Sequence, residues 1–196
     1  MRAAPMHRFP KGYLGVDHET IGRSLVALLT VLKQRGPTEE SEVRLLREPI
    51  DPQGWYPIAT LLALLDRLEQ KVGYFGLVRT GRAIFQMSHA ATVSTSQFCA
   101  RDVLYGFDAL YRRSNRGRGI GGWRVLRCEP GDAEIEKTTP HHCAMEQGIL
   151  TAALAAVDCS SIVNQSACVR GGADTCRFVI SSHVTDARWT GKLGRT

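Results

Sequence analysis

The run Gln165-Ser166-Ala167-Cys168-Val169-Arg170-Gly171-Gly172-Ala173-Asp174-Thr175-Cys176-Arg177-Phe178-Val179-Ile180 decides the fold. Two cysteines flank a short Gly-Gly-Ala-Asp turn, and the residues on either side read as strands over 160–169 and 175–182, joined as a hairpin. A third cysteine stands upstream in Pro140-His141-His142-Cys143, at the head of an alanine-rich helical pattern over 142–157. Before it, residues 122–128 and 133–138 read as a strand pair around Glu129-Pro130-Gly131-Asp132, with partial alternation at Trp123, Val125, Leu126 and Ile135. The second half is therefore β-β-α-β-β.

The first half is helical. Ile21, Leu25, Leu28, Leu29 and Leu32 recur at helical spacing over 21–34, and Gly36-Pro37 is the stop. Glu39–Arg47 reads as a short second helix. Trp55-Tyr56-Pro57 opens a stronger one over 58–72, ended by Gly73. Another follows over 74–87, with Gly76 and Gly81 where a neighbour can approach closely, and another over 96–113. Helices first and β-β-α-β-β after predict an α+β domain, with helices packed on a small antiparallel sheet. Residues 1–12 read as a loose arm, 13–183 as the single domain and 184–196 as a basic tail.

At 196 residues the chain is long enough for a substantial core, and its 43% hydrophobic and 22% charged content is ordinary for a globular protein. No apolar run is long enough to cross a bilayer, and no secretory signal is visible, so a cytoplasmic, reducing setting is expected. There, clustered cysteines bind metal, do chemistry or pack more often than they form lasting disulfides. The net charge of +6 is concentrated partly in residues 111–119 and partly in the tail. The first patch reads as a solvated loop after a helix, where arginine suits the negative helix end. No spacing points to nucleic acid.

Three thiols and two imidazoles near one hairpin fit a metal site, a redox site or a packed core. Zn²⁺ takes four tetrahedral ligands. Cys143, Cys168 and Cys176 would supply three if the helix at 142 packs beside the last hairpin, and His141, His142 or Asp174 a fourth. The alternative is plain packing, since free cysteine is among the most buried residue types. Cys99, Cys128 and Cys159 have no partner at useful spacing and read as packed. His89 follows a helix and is placed to hydrogen-bond a ligand or to ligate haem. Trp123 opens a strand behind Gly121-Gly122 and can orient a ligand through its indole N–H. The loop Gly117-Arg118-Gly119-Ile120-Gly121-Gly122 follows a helix and lacks GK[ST], so it is a poor phosphate loop. No paired-carboxylate, Ser-His-Asp or HExxH arrangement stands out.

The run Gln165-x-x-Cys168-x7-Cys176-Arg177-Phe178, with Gly172 in the turn and Gly148 in the preceding helix, resembles the ending of the vinyl-4-reductase domain. That domain is related to the TRAPP-subunit fold and to the sensory domains of phenol-responsive bacterial activators. The resemblance spans residues 55–182 in element order, and its motif strength lies in 143–180. It implies a structural zinc at Cys143, Cys168, Cys176 and position 165, where Gln165 replaces the acid of those relatives. A neutral amide is a poor zinc ligand, so the expected site is three-coordinate, takes His142 instead, or is empty. The resemblance also places a ligand-contacting tryptophan near Trp123 and a ligand histidine near His89. The N-terminal half, around Trp55-Tyr56-Pro57, is similar to bacterial (myxobacterial) proteins of unassigned function.

The expected function is a non-catalytic sensor or adaptor domain with an apolar pocket between helices and sheet. Phe85, His89, Phe107, Tyr111 and Trp123 would line it, for a small hydrophobic or aromatic ligand. A homodimer and a protein partner for output are expected. The alternatives are a tetrapyrrole vinyl reductase or haem-binding accessory protein, although no nicotinamide or flavin fingerprint is present, and a fully packed scaffold.

Overall fold

A computed structural model describes residues 17–34, 49–93 and 98–191. The arm at 1–12 and the helix expected over Glu39–Arg47 lie outside the described residues.

Strand β1 (Glu19–Ile21) leads into helix α1 (Gly22–Gln34). Strand β2 (Trp55–Pro57) leads into the long helix α2 (Ile58–Ser88). Leu25, Leu28, Leu29 and Leu32 of α1 bury against Ile58, Leu61, Leu65 and Leu68 of α2. Gly73 breaks α2 with φ 65 and ψ −172, which an L side chain rarely adopts. The two helices expected on either side of Gly73 are thus the arms of one kinked rod.

Helix α3 (Ala100–Arg112) starts four residues later than its periodicity suggested. Asp102 accepts the Cys99 backbone N–H at 2.9 Å and fixes that start. Strand β3 (Asn115–Arg116) then returns to β1. β2, β1 and β3 form a small antiparallel sheet that the sequence did not suggest, with Trp55-Tyr56-Pro57 as an edge strand. Arg116 lies over the Trp55 ring at 4.2 Å and pairs with Glu19 at 2.6 Å, so the basic stretch is partly tied down.

The second half follows the expected order: β4 (Trp123–Glu129), β5 (Asp132–Lys137), α4 (Cys143–Ala155), β6 (Ile162–Ala167) and β7 (Cys176–Ser181). The strands lie in the order β4-β5-β7-β6, all antiparallel. Cys176, Phe178 and Ile180 alternate inward along β7. A short helix α5 (Ala187–Thr190) occupies the expected basic tail and buries Trp189 completely in the sheet-side core. The fold is mixed α+β.

Two apolar clusters result. One lies among α1, α2 and the start of α4. The other lies among α3, α4 and the four-stranded sheet. Trp123 and Ile149 pack against both and mark the seam. Helices α2 and α4 cross there at very short range. A Cβ on Gly81 would stand 1.9 Å from the Met145 carbonyl oxygen, and one on Gly148 2.0 Å from that of Val78. Only glycine permits this approach.

Candidate functional site

The seam encloses a cavity. Leu61 and Ile84 come from α2, Phe107, Leu110 and Tyr111 from α3, Trp123 from β4, and Met145 and Ile149 from α4. Its volume is about 50 Å³, room for a few water-sized groups. Phe107 and Trp123 meet edge to face at 4.8 Å, and Tyr111 and His141 at 5.7 Å. The Tyr111 hydroxyl donates to the Ile120 carbonyl at 3.0 Å, and the Trp123 backbone N–H donates to Asp108 at 2.8 Å. Both aromatic walls are therefore oriented by fixed hydrogen bonds.

Of the five expected ligand residues, His89, Phe107, Tyr111 and Trp123 line this cavity. Phe85 is fully buried one turn before His89, with ring centroids 6.3 Å apart, and belongs to the sheet-side core. His89 caps the end of α2. Burial, then the charges of Arg23 and Arg113, lower its pKa to about 4, so its imidazole is neutral at ordinary pH.

Six polar residues near the cavity lay outside the expected ligand set: Ser24, Ser114, Asn115, His141, Glu146 and Lys137. Glu146, in the first turn of α4, accepts from the Thr139 hydroxyl at 2.7 Å, from His141 Nδ1 at 3.3 Å and from Lys137. Burial opposes the Glu146 charge, but Lys137 and His141 hold its pKa below the usual value. Lys137 also donates to the His141 carbonyl at 2.5 Å. Burial disfavours its charge too, yet Cys143, Glu146 and Cys176 around it keep its pKa above the lysine norm. This buried pair joins the cavity to the thiols. One signal was available, because Ala133, Ile135 and Lys137 share the inward face of β5.

Cys143, at the start of α4, meets Cys168 and Cys176 from the last hairpin, with all three sulfurs within 4.8 Å of one another. The Cys143 and Cys168 sulfurs are 3.9 Å apart. Tetrahedral zinc at Zn–S distances of 2.3 Å sets sulfurs roughly 3.8 Å apart, so the three residues fit that ion. A hydrogen bond from Cys143, opposed by burial and supported by Lys137, lowers the Cys176 pKa. The hydrogen bond to Cys143, with burial, pushes Cys168 up to about 12. For Cys143, the bond from Cys168 is outweighed by its bond to Cys176 and by burial, and its pKa rises to about 11. Gln165 donates to the Ala167 carbonyl at 3.1 Å and also hydrogen-bonds Cys168, so it stands beside the cluster.

His142 does not join the thiols. Its Nε2 lies 2.8 Å from Asp66 and 3.5 Å from Glu69 on α2. Arg170, in the loop between Cys168 and Cys176, donates to both carboxylates, at 3.3 Å to Asp66 and 2.8 Å to Glu69. The hairpin loop is thereby tied to α2.

No protein-family model matches the chain, and no curated protein does. The resemblance to the vinyl-4-reductase and TRAPP families rests on the residues that suggested it. Solved structures do share the fold. An H-NOX protein from S. oneidensis in the Fe(II) ligation state aligns with a TM-score of 0.63 and 12% identity, over 86% of this chain and 99% of that one. The Fe(II) unliganded H-NOX protein from K. algicida aligns with a TM-score of 0.61 and 12% identity, over 83% and 96%. The phenol-responsive sensory domain of the transcription activator PoxR, with phenol, reaches a TM-score of only 0.48 at 16% identity, over 81% and 90%. The chain thus has a fold similar to that of H-NOX domains. Among the described residues, no helix is long and apolar enough to cross a membrane.

Proposed function

We propose that this chain is a non-catalytic sensor or adaptor domain that binds a small molecule in the seam cavity. The observation that carries the reading is the cavity itself: small, mostly apolar, aromatic-walled and set between two packed layers, where a bound molecule bears on both. Output would pass to a second copy of the chain or to a protein partner.

A zinc ion held by Cys143, Cys168 and Cys176, with a fourth ligand from solvent or the Gln165 amide, would crosslink α4 to the last hairpin. Its support is the sulfur geometry and the positive charge of Lys137 beside the thiols. Elemental analysis of purified protein should find about one zinc per chain, lost in Cys168→Ser. Metal-free protein of unchanged melting temperature after chelation would make the cysteines packing residues.

The H-NOX fold and the neutral imidazole of His89, the form that ligates iron, favour haem as a second reading. A tetrapyrrole does not fit the cavity as it stands, since its volume is only about 50 Å³. The two readings separate by titration of colourless protein with benzene and phenol, followed by melting temperature. Stabilisation by either supports the small-ligand cavity. No shift at millimolar concentration removes it, and a Soret band with His89-dependent intensity would replace it with haem.

A further inference from the structure

We infer that the groove running along α3 beside the end of α2 is a second binding site, for a medium-chain carboxylate whose anionic head pairs with Arg113 and whose tail lies along Val103, Gly106 and Leu110. This site goes beyond the seam cavity and does not rest on the function proposed for it. The groove shares Phe107 and Leu110 with that cavity, but its other walls are its own. Thr92 and Val93, at the turn after α2, and Phe98, which is 40% exposed, form the side opposite α3.

The shape suits an extended apolar chain. Val103, Gly106, Leu110 and Arg113 follow one another at helical spacing, so they make one stripe about 15 Å long at 1.5 Å per residue. The groove volume is about 210 Å³, which at roughly 30 Å³ per water-sized group holds about seven such groups. That matches the seven-carbon tail of octanoate. Gly106 stands inside α3, where glycine is the weakest helix former apart from proline. A Cβ at Gly106 would meet nothing within 4 Å, so no packed neighbour requires the glycine. What the glycine provides is depth in the groove.

Charge selects an anion for the head. At the end of α3, Arg112 pairs with Asp108 and Arg116 with Glu19, each at 2.6 Å. Arg113 is exposed, lines the groove and has no carboxylate partner among the described residues. The helix end there carries about half a negative charge, which one guanidinium outweighs. His89 reports the same positive field: after burial, Arg23 and Arg113 are what lower its pKa. Asp102 lies at the far end of the stripe, more than a Debye length from Arg113, and its carboxylate is held by the Cys99 N–H at 2.9 Å. A cation would be repelled at the Arg113 end, and a neutral chain would leave the guanidinium unpaired.

The test titrates the full chain by calorimetry with octanoate, 1-octanol and octylammonium, which share one tail. Octanoate should bind about three- to tenfold tighter than octanol, and octylammonium weaker than either. Arg113→Gln should abolish the preference for octanoate over octanol, and 0.5 M NaCl should reduce it. Gly106→Ala should weaken octanoate and octanol alike several-fold, while raising the melting temperature by about 2–4 °C through better helix propensity. A merely structural Gly106 would not separate affinity from stability in this way. Equal affinity for octanoate and octanol overturns the inference, as does octanoate binding that survives both substitutions, or none at millimolar concentration. Displacement of phenol by octanoate would also overturn it, by placing the chain in the seam. Phenol binding without octanoate binding leaves the seam reading standing.

Discussion

His89 is where burial and charge act most directly on one side chain. Its pKa falls to about 4 in the folded chain, from about 6.5 when unfolded. The unfolded chain therefore binds more protons between those values, and stability rises with pH across that window. Acidification from pH 6.5 toward 4 should cost on the order of 1–3 kcal/mol at this residue, discounted for its partial exposure. His89→Gln should flatten the curve of melting temperature against pH over that range. An identical slope in the variant would place the titration elsewhere. Single residues also show how far the sequence could be read. His89, Phe107, Tyr111 and Trp123 were named for the pocket and line the cavity, whereas Phe85, named with them, is a core residue, because an apolar helical stripe does not tell a pocket wall from packing. The convergence of Cys143, Cys168 and Cys176 followed from element order. Ser114, Asn115 and His141 were not legible as cavity residues, because they meet only once α3, β3 and the start of α4 are assembled. His142 was misleading for a related reason: it caps α4 from the side that faces Asp66 and Glu69, away from its sequence neighbour Cys143.

At the scale of elements, the crossing of α2 and α4 positions everything else. It sets Met145 and Ile149 of α4 against Ile84 and Leu61 of α2 and so shapes one wall of the cavity. Gly81 and Gly148 allow it, each with a partner carbonyl where a Cβ would stand. Backbone cannot swing aside as a side chain can. Gly81→Ala or Gly148→Ala should therefore push the helices apart and destabilise by about 2–4 kcal/mol, read by urea unfolding. Gly171→Ala, where a Cβ meets nothing within 4 Å, is the matched control. A loss under 0.5 kcal/mol at both helix positions would mean the crossing adjusts freely. The helices over 21–34 and 142–157, a break at Gly73 and the β-β-α-β-β order were legible, since each has a local signal in periodicity or glycine placement, although the break read as the end of one helix and proved a kink within a single rod. The small sheet was not. Its strands are two or three residues long, too short to show a period, and Pro57 reads as readily as a helix opening as a strand end. Helix α5 was hidden for the opposite reason, because one buried residue, Trp189, fixes it inside a stretch dominated by charge.

For the whole molecule, the consequence of two cores meeting at one seam is that a ligand there belongs to neither. Phe107 and Trp123 contribute to the sheet-side cluster, Leu61 and Ile84 to the helical one, and the cavity takes its walls from both. The buried Lys137–Glu146 pair continues the same path from cavity to thiols, and Arg170 closes it back onto α2. A ligand that binds only the folded state adds RT ln(1 + [L]/Kd), about 2.7 kcal/mol at one hundred times Kd, to every amide that exchanges by global opening. Amides that exchange by local opening gain protection only if the ligand touches their layer. At saturation with the tightest-binding ring compound, hydrogen exchange should therefore slow locally on both sides of the seam: in α1 and the first arm of α2, and in β5 and α4. Protection limited to one side would place the ligand on that layer's outer surface. It would then have no purchase on the junction between the two cores.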